Sequence, residues 1–117
     1  MPRERTLWYE KRGISRLRVL ELKLVCLRYR EYAAETPFRE GWENSLPRRK
    51  MRAIEEAARQ AAPEISKYLL EHVTTGVLPE KLCPPCGIRQ FYQARRMFFV
   101  KLNRLWDEAV SGGSVDQ

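Results

Sequence analysis

The stretch from Gly87 to Trp106 constrains the fold more than any other part of the chain. Its bulky apolar residues recur at helical spacing, and it carries five basic residues and no acid. Phe91, Ala94, Phe98, Leu102 and Leu105 fall on one face, the pattern of a helix that anchors one side in a core. Arg89, Gln90, Gln93 and Met97 fall toward the opposite side, within the first three turns. No segment elsewhere shows the period-two alternation of a half-buried strand. The expected fold is all-α, a helical domain of four to five helices.

Prolines and glycines divide the rest. Residues 1–13 are polar and basic around the pair Trp8-Tyr9, which reads as a mobile arm docked by its aromatics. From Ile14 to Ala34, Leu17, Leu20, Leu24 and Leu27 lie three or four apart, with Leu22, Val25, Tyr29 and Tyr32 as a second stripe beside them. This spacing predicts one helix with a wide buried face, capped near Ser15 and ended before Pro37. More apolar surface than one partner helix would cover makes a homodimer an expected assembly. Thr36 to Pro47 reads as a loop whose Phe38 and Trp42 pack onto the core. Arg48 to Ala62 resumes helical spacing through Met51, Ile54, Ala58 and Ala61, small residues that permit close helix contact. Pro63 interrupts, since proline removes a donor and crowds the preceding turn. A new helix is expected from there through Ile65, Leu69 and Val73 to Gly76, with His72 as a partly buried structural residue. Leu78 to Leu82 leaves room for one helical turn before Pro84-Pro85, and the long helix Gly87 to Val110 follows. The division is therefore one domain of 117 residues, with a basic arm 1–13, an N-terminal helical part 14–62, a helix-turn-helix part 63–110 and a flexible tail 111–117.

A formal charge of +7 favours a polyanionic partner, whether nucleic acid, acidic protein or anionic lipid. No apolar run approaches the roughly 20 residues of a membrane span, and Met1 to Lys11 lacks the apolar core of a signal peptide. A cytoplasmic protein without membrane contact is expected. Cys26, Cys83 and Cys86 are an odd set, better read as thiols than as a disulfide framework. Cys83-Pro84-Pro85-Cys86 has the spacing of a metal or redox pair, but zinc would need two more ligands and only Cys26 and His72 remain. No metal and no cofactor are expected, and small side chains packed in a turn are the simpler reading. Scattered carboxylates, the absence of a glycine-rich phosphate loop and a histidine with no nucleophile beside it in sequence leave no basis for an enzyme.

From Pro63 onward the elements run helix, glycine, short helix, tight turn, long basic helix. The last three match a helix-turn-helix, whose second helix enters the major groove with its N-terminal residues against base edges. Arginine bonds guanine in bidentate fashion and glutamine does the same to adenine, so Arg89, Gln90 and Gln93 are the expected base contacts. Lys81, Arg95, Arg96 and Lys101 are the expected phosphate contacts, which set register without reading sequence. Arg104 lies farther along. The bland alternative is a solvated basic face on a core helix. A stacking platform from Phe91-Tyr92 and Phe98-Phe99 is a further alternative, but at helical spacing these rings belong mostly to the core, with Tyr92 nearest the surface.

Ile54-Glu55-Glu56-Ala57, Glu64-Ile65-Ser66-Lys67-Tyr68-Leu69-Leu70 and the run Gly87 to Phe99 resemble the RinA/ArpU-type regulators of late gene expression in phages and prophages of Gram-positive bacteria. The resemblance covers roughly Arg48 to Trp106 and rests on patterns of residue type. Part of that family is similar to region 4 of sigma factors, where a helix-turn-helix binds promoter DNA. It implies a transcription regulator in the cytoplasm of a bacterial host, with double-stranded DNA and RNA polymerase as partners, and it places Arg89, Gln90 and Gln93 at the start of the recognition helix. Three features depart from the family: the first helix of the motif is squeezed to about Leu78–Leu82, Pro84-Pro85 fill a turn that usually continues as helix into a small residue, and Gly87 stands where a serine or threonine cap is commoner. The other expectation is a protein-interaction module, such as a phage assembly or packaging adapter with a basic surface.

Overall fold

The structure, a computed structural model, describes residues 7–35 and 45–111, and among these it contains only helices and their connections. The elements are α1 (Arg16–Leu27), α2 (Tyr29–Glu35), α3 (Leu46–Ala61), a 3-10 turn (Pro63–Ile65), α4 (Ser66–Thr75), α5 (Pro79–Leu82) and α6 (Ile88–Ser111). The expected all-α class holds. Expectations for the tip of the arm, for Phe38 and Trp42 and for the tail beyond Ser111 lie outside the described residues.

The frame of the molecule is α3 laid along α6, its most extensive helix pairing. Ala53, Ile54, Ala57 and Ala58 are buried on α3, and Phe91, Phe98, Phe99, Leu102 and Trp106 on α6. The small alanines bring the two backbones close enough for the large rings of α6 to fill the space between them. Ser45 caps α3 by accepting from the Arg48 N–H, with Pro47 in the first turn where its missing donor costs nothing. At the same end of α3, Arg49 Nε donates to the Ala109 carbonyl at 2.9 Å, occupying one of the acceptors that the last turn of α6 leaves open.

Pro63 ends α3 and opens the 3-10 turn, and α4 follows with Leu69, His72, Val73 and Thr74 buried. It stops at Gly76, whose φ of 82° lies in the left-handed region and whose N–H donates to the His72 carbonyl. His72 is 9% exposed, its Nδ1–H donates to the Val77 carbonyl at 2.7 Å, and its ring meets Phe91 edge-on. It is the structural histidine that its place beside the apolar stripe predicts.

The N-terminal region departs from expectation in three ways. Trp8 packs against the core and Tyr9 is buried, the docking expected of the pair, but residues 7–10 form a helical turn in place of a mobile segment. The expected continuous helix is broken at Arg28, with α1 before it and α2 after it. The leucine stripe Leu17, Leu20, Leu24, Leu27, expected to be buried, is exposed at 77%, 45%, 63% and 50%. The face that points inward carries Val19, Leu22 and Cys26 instead. Leu22 lies two residues from both Leu20 and Leu24, about 200° round a helix from each, so both stripes cannot be buried at once. Polar anchors accompany the choice: Arg18 Nε donates to Asn103 Oδ1 at 2.7 Å, and its guanidinium pairs with Asp107 at 2.9 Å, tying α1 to α6. Ser15 caps α1 as expected, accepting from the Arg18 N–H.

Candidate nucleic-acid interface

The segment that presents the start of α6 is built from backbone constraints. Pro79 opens α5 and is buried, and Cys83 ends it in the left-handed region at φ 52° with its N–H bonded to the Pro79 carbonyl at 3.1 Å. The Cys86 N–H then donates to the Pro84 carbonyl at 2.8 Å, closing a tight turn. Gly87 lies at the cap of α6, and Gln90 Oε1 accepts from its N–H at 3.2 Å. This is the returning half of a capping box, made by a glutamine at the third helical position. A serine or threonine is thus absent at the cap while its backbone donor is still satisfied.

Arg89, Gln90 and Gln93 are all exposed, as the helical pattern predicts. Arg89, Gln93 and Arg96 follow at intervals of four and three residues, so they share one face of α6. Met97, 36% exposed, lies beside them. Gln90 stands at the edge of this group with its side-chain oxygen engaged by the cap. Among the expected phosphate contacts, Lys81 is exposed on α5, and Arg95, Arg96 and Lys101 are half-buried. Lys101 follows Arg96 by five residues, about 140° round the helix, and so does not share its edge.

Arg95 and Arg96 converge with residues from two other elements. Tyr9, Lys23 of α1, Tyr92, Arg95 and Arg96 line a cleft of about 180 Å³ with three cations, two phenols and no carboxylate. Aromatic faces position the guanidiniums: Arg96 lies 5.6 Å from the centre of the Trp8 ring, and Arg95 lies 5.2 Å from that of Phe99. Tyr9 and Lys23 were missed in the sequence as neighbours of this site. The isolated Trp8-Tyr9 pair signalled docking but not its place, and Lys23 carried no signal.

Comparison with protein-family models, with curated proteins and with solved structures finds no significant match to the chain.

The remaining reactive side chains are tied into the structure. Burial pushes the Cys26 thiol far above its ordinary range despite the opposing influence of Arg95. Cys83 is exposed, Cys86 is half-buried, and no group of three metal-ligating side chains forms among the described residues. Burial also lowers the His72 pKa, outweighing the bond to Val77 that acts in the other direction. On α3, Glu56 pairs with Arg59, while Glu55 accepts from the Tyr29 hydroxyl with Arg48 3.9 Å away. Burial first, and the bond to Glu55 second, raise the Tyr29 pKa, so the phenol stays protonated as a donor.

Proposed function

We propose that the protein binds double-stranded DNA through the N-terminal half of α6 and acts as a sequence-specific transcription regulator, with late genes of a phage or prophage as the targets its family resemblance implies. The observation that carries this reading is one face holding exposed Arg89 and Gln93 with half-buried Arg96 below them, on a helix with no acid from Ile88 to Trp106. Its ends suit separate tasks. Arg89 and Gln93, in the first two turns, have the donors and acceptors for guanine and adenine edges, and Gln90 joins them if its carboxamide leaves the cap. Arg96, with Arg95, Lys23 and the two tyrosines, forms a basic cleft of a size to take a backbone phosphate beside the groove. Lys81 and Lys101 reach phosphates on either side. The motif is α5, the Cys83–Gly87 turn and α6, with α4 packed behind it. No catalytic step and no cofactor belong to this reading.

Three phosphates, one in the cleft and one each at Lys81 and Lys101, imply a salt slope of roughly −2.7, so affinity for a random-sequence duplex should fall by about 40-fold between 50 and 200 mM salt. Fluorescence anisotropy on a labelled duplex reads this directly. An affinity that barely changes over that range would remove phosphate neutralisation, and with it the mechanism. A second reading, a protein-interaction or phage assembly and packaging adapter, draws on a different observation, the exposed leucines of α1.

A further inference from the structure

The exposed leucines of α1 form an ordered pattern. Leu17, Leu20, Leu24 and Leu27 take successive a and d positions of a heptad, the register of a coiled-coil seam. Two of them are more than half exposed, at 77% and 63%. Together they offer roughly 400 Å² of leucine surface, the size of the largest apolar patch on a typical monomer, which is often a functional one. Among the described residues the core is built on the opposite face, through Val19, Leu22 and Cys26, and it covers Leu20 and Leu27 only by about half.

The charges beside the seam decide what fits it. The flanking e and g positions carry Arg16 and Lys23 within α1 and Arg28 and Arg30 just past its end, Arg28 being paired with Glu31 at 2.9 Å, against the single e/g carboxylate Glu21. Glu21 is itself paired with Arg18 at 3.1 Å. A second copy of α1 laid parallel brings Lys23 opposite the other copy's Arg28, offset by Arg16 opposite its Glu21, and laid antiparallel it brings Lys23 and Glu21 each opposite its own counterpart. Neither arrangement gains net attraction from its flanks, and the chains that would pair each carry +7. An amphipathic helix with acidic flanks meets no such opposition.

We infer that α1 is a docking surface for an amphipathic helix of a partner protein, whose apolar seam covers Leu17, Leu20, Leu24 and Leu27 and whose flanks are acidic. The leucine seam itself shares no residue with the proposed DNA site, whose cleft takes only Lys23 from α1. It gives the protein a second, protein-facing side.

The test uses the full chain and two lactam-stapled two-heptad helical peptides with leucine at a and d. One carries glutamate at e and g, the other lysine. Sedimentation equilibrium of the chain alone accompanies anisotropy of each labelled peptide. The expected results are a monomeric chain, micromolar binding of the glutamate peptide, at least tenfold weaker binding of the lysine peptide, and a tenfold or greater loss with Leu20→Ser/Leu24→Ser. Leu20 is 45% and Leu24 63% exposed, so the variant should melt somewhat lower than the parent but stay folded at the assay temperature, which circular dichroism checks. Three outcomes overturn the inference. Unchanged binding by the variant means general attraction to a basic protein, no binding of either peptide means the seam is not a docking site, and a dimer that the double substitution dissociates assigns the seam to a second copy. Duplex affinity of the same variant should stay within twofold of the parent, so a failure here is separable from a failure of DNA binding.

Discussion

Leu22→Ala and Leu24→Ala make the same chemical change two residues apart on α1, and the structure assigns them very different costs. Leu22 is 0% exposed, so truncation loses its burial, roughly 2 kcal/mol, and leaves a cavity that brings the total to about 3 kcal/mol. Leu24 is 63% exposed, so only a minor share of its surface is covered and the loss stays under about 1 kcal/mol. Alanine is also the better helix former, which trims both costs slightly. Urea unfolding followed by circular dichroism at 222 nm measures the difference. A gap of about 2 kcal/mol with unchanged slope is expected. Equal costs, or a larger cost at Leu24, would mean that α1 presents its leucine stripe to the core and that its assigned orientation is wrong.

Three further outcomes follow from single residues. Gly76 has φ 82° and open space where a Cβ would stand, so Gly76→Ala should cost about 1–2 kcal/mol from backbone strain alone, read by the same unfolding measurement. Burial lowers the pKa of His72 in the folded chain below its ordinary value of 6.5, so the unfolded chain binds the proton first. Its effect on stability should be flat above about pH 6.5 and become progressively unfavourable as pH falls toward the folded value. His72→Asn, which keeps an amide donor for the Val77 carbonyl, should remove that pH dependence from the melting temperature. In duplex binding, Arg89→Ala and Gln93→Ala should each relax preference at one base position by about 1–3 kcal/mol, whereas Arg96→Ala should weaken all sequences alike and reduce the salt slope by about 1. Uniform loss in all three would reduce the base contacts to phosphate contacts.

Local physics made much of this fold legible in the sequence. The apolar spacing of α6 separates Phe91, Phe98 and Leu102 from Arg89, Gln90 and Gln93, and the structure keeps them apart. Pro63, Gly76 and Ser15 each act through their own backbone or cap and mark the boundaries they were expected to mark. The orientation of α1 was not legible, because two leucine-bearing stripes of similar hydropathy compete for the core. The contacts that accompany the outcome, Arg18 with Asn103 and Asp107, join residues far apart in sequence. The basic cleft escaped notice for the same reason, since Tyr9 and Lys23 reach Arg95 and Arg96 only through the docking of α1 and the turn before it. Of the candidate readers, exposure and a shared face were readable from periodicity, while the engagement of Gln90 in the cap at Gly87 needed coordinates.

Selection of bound sequences from a random duplex library with the full chain tests the central claim most directly. A reproducible motif is predicted, with guanine and adenine at the positions that Arg89→Ala and Gln93→Ala then degrade. Recovery of no enriched sequence over successive rounds would contradict a base-reading role for α6.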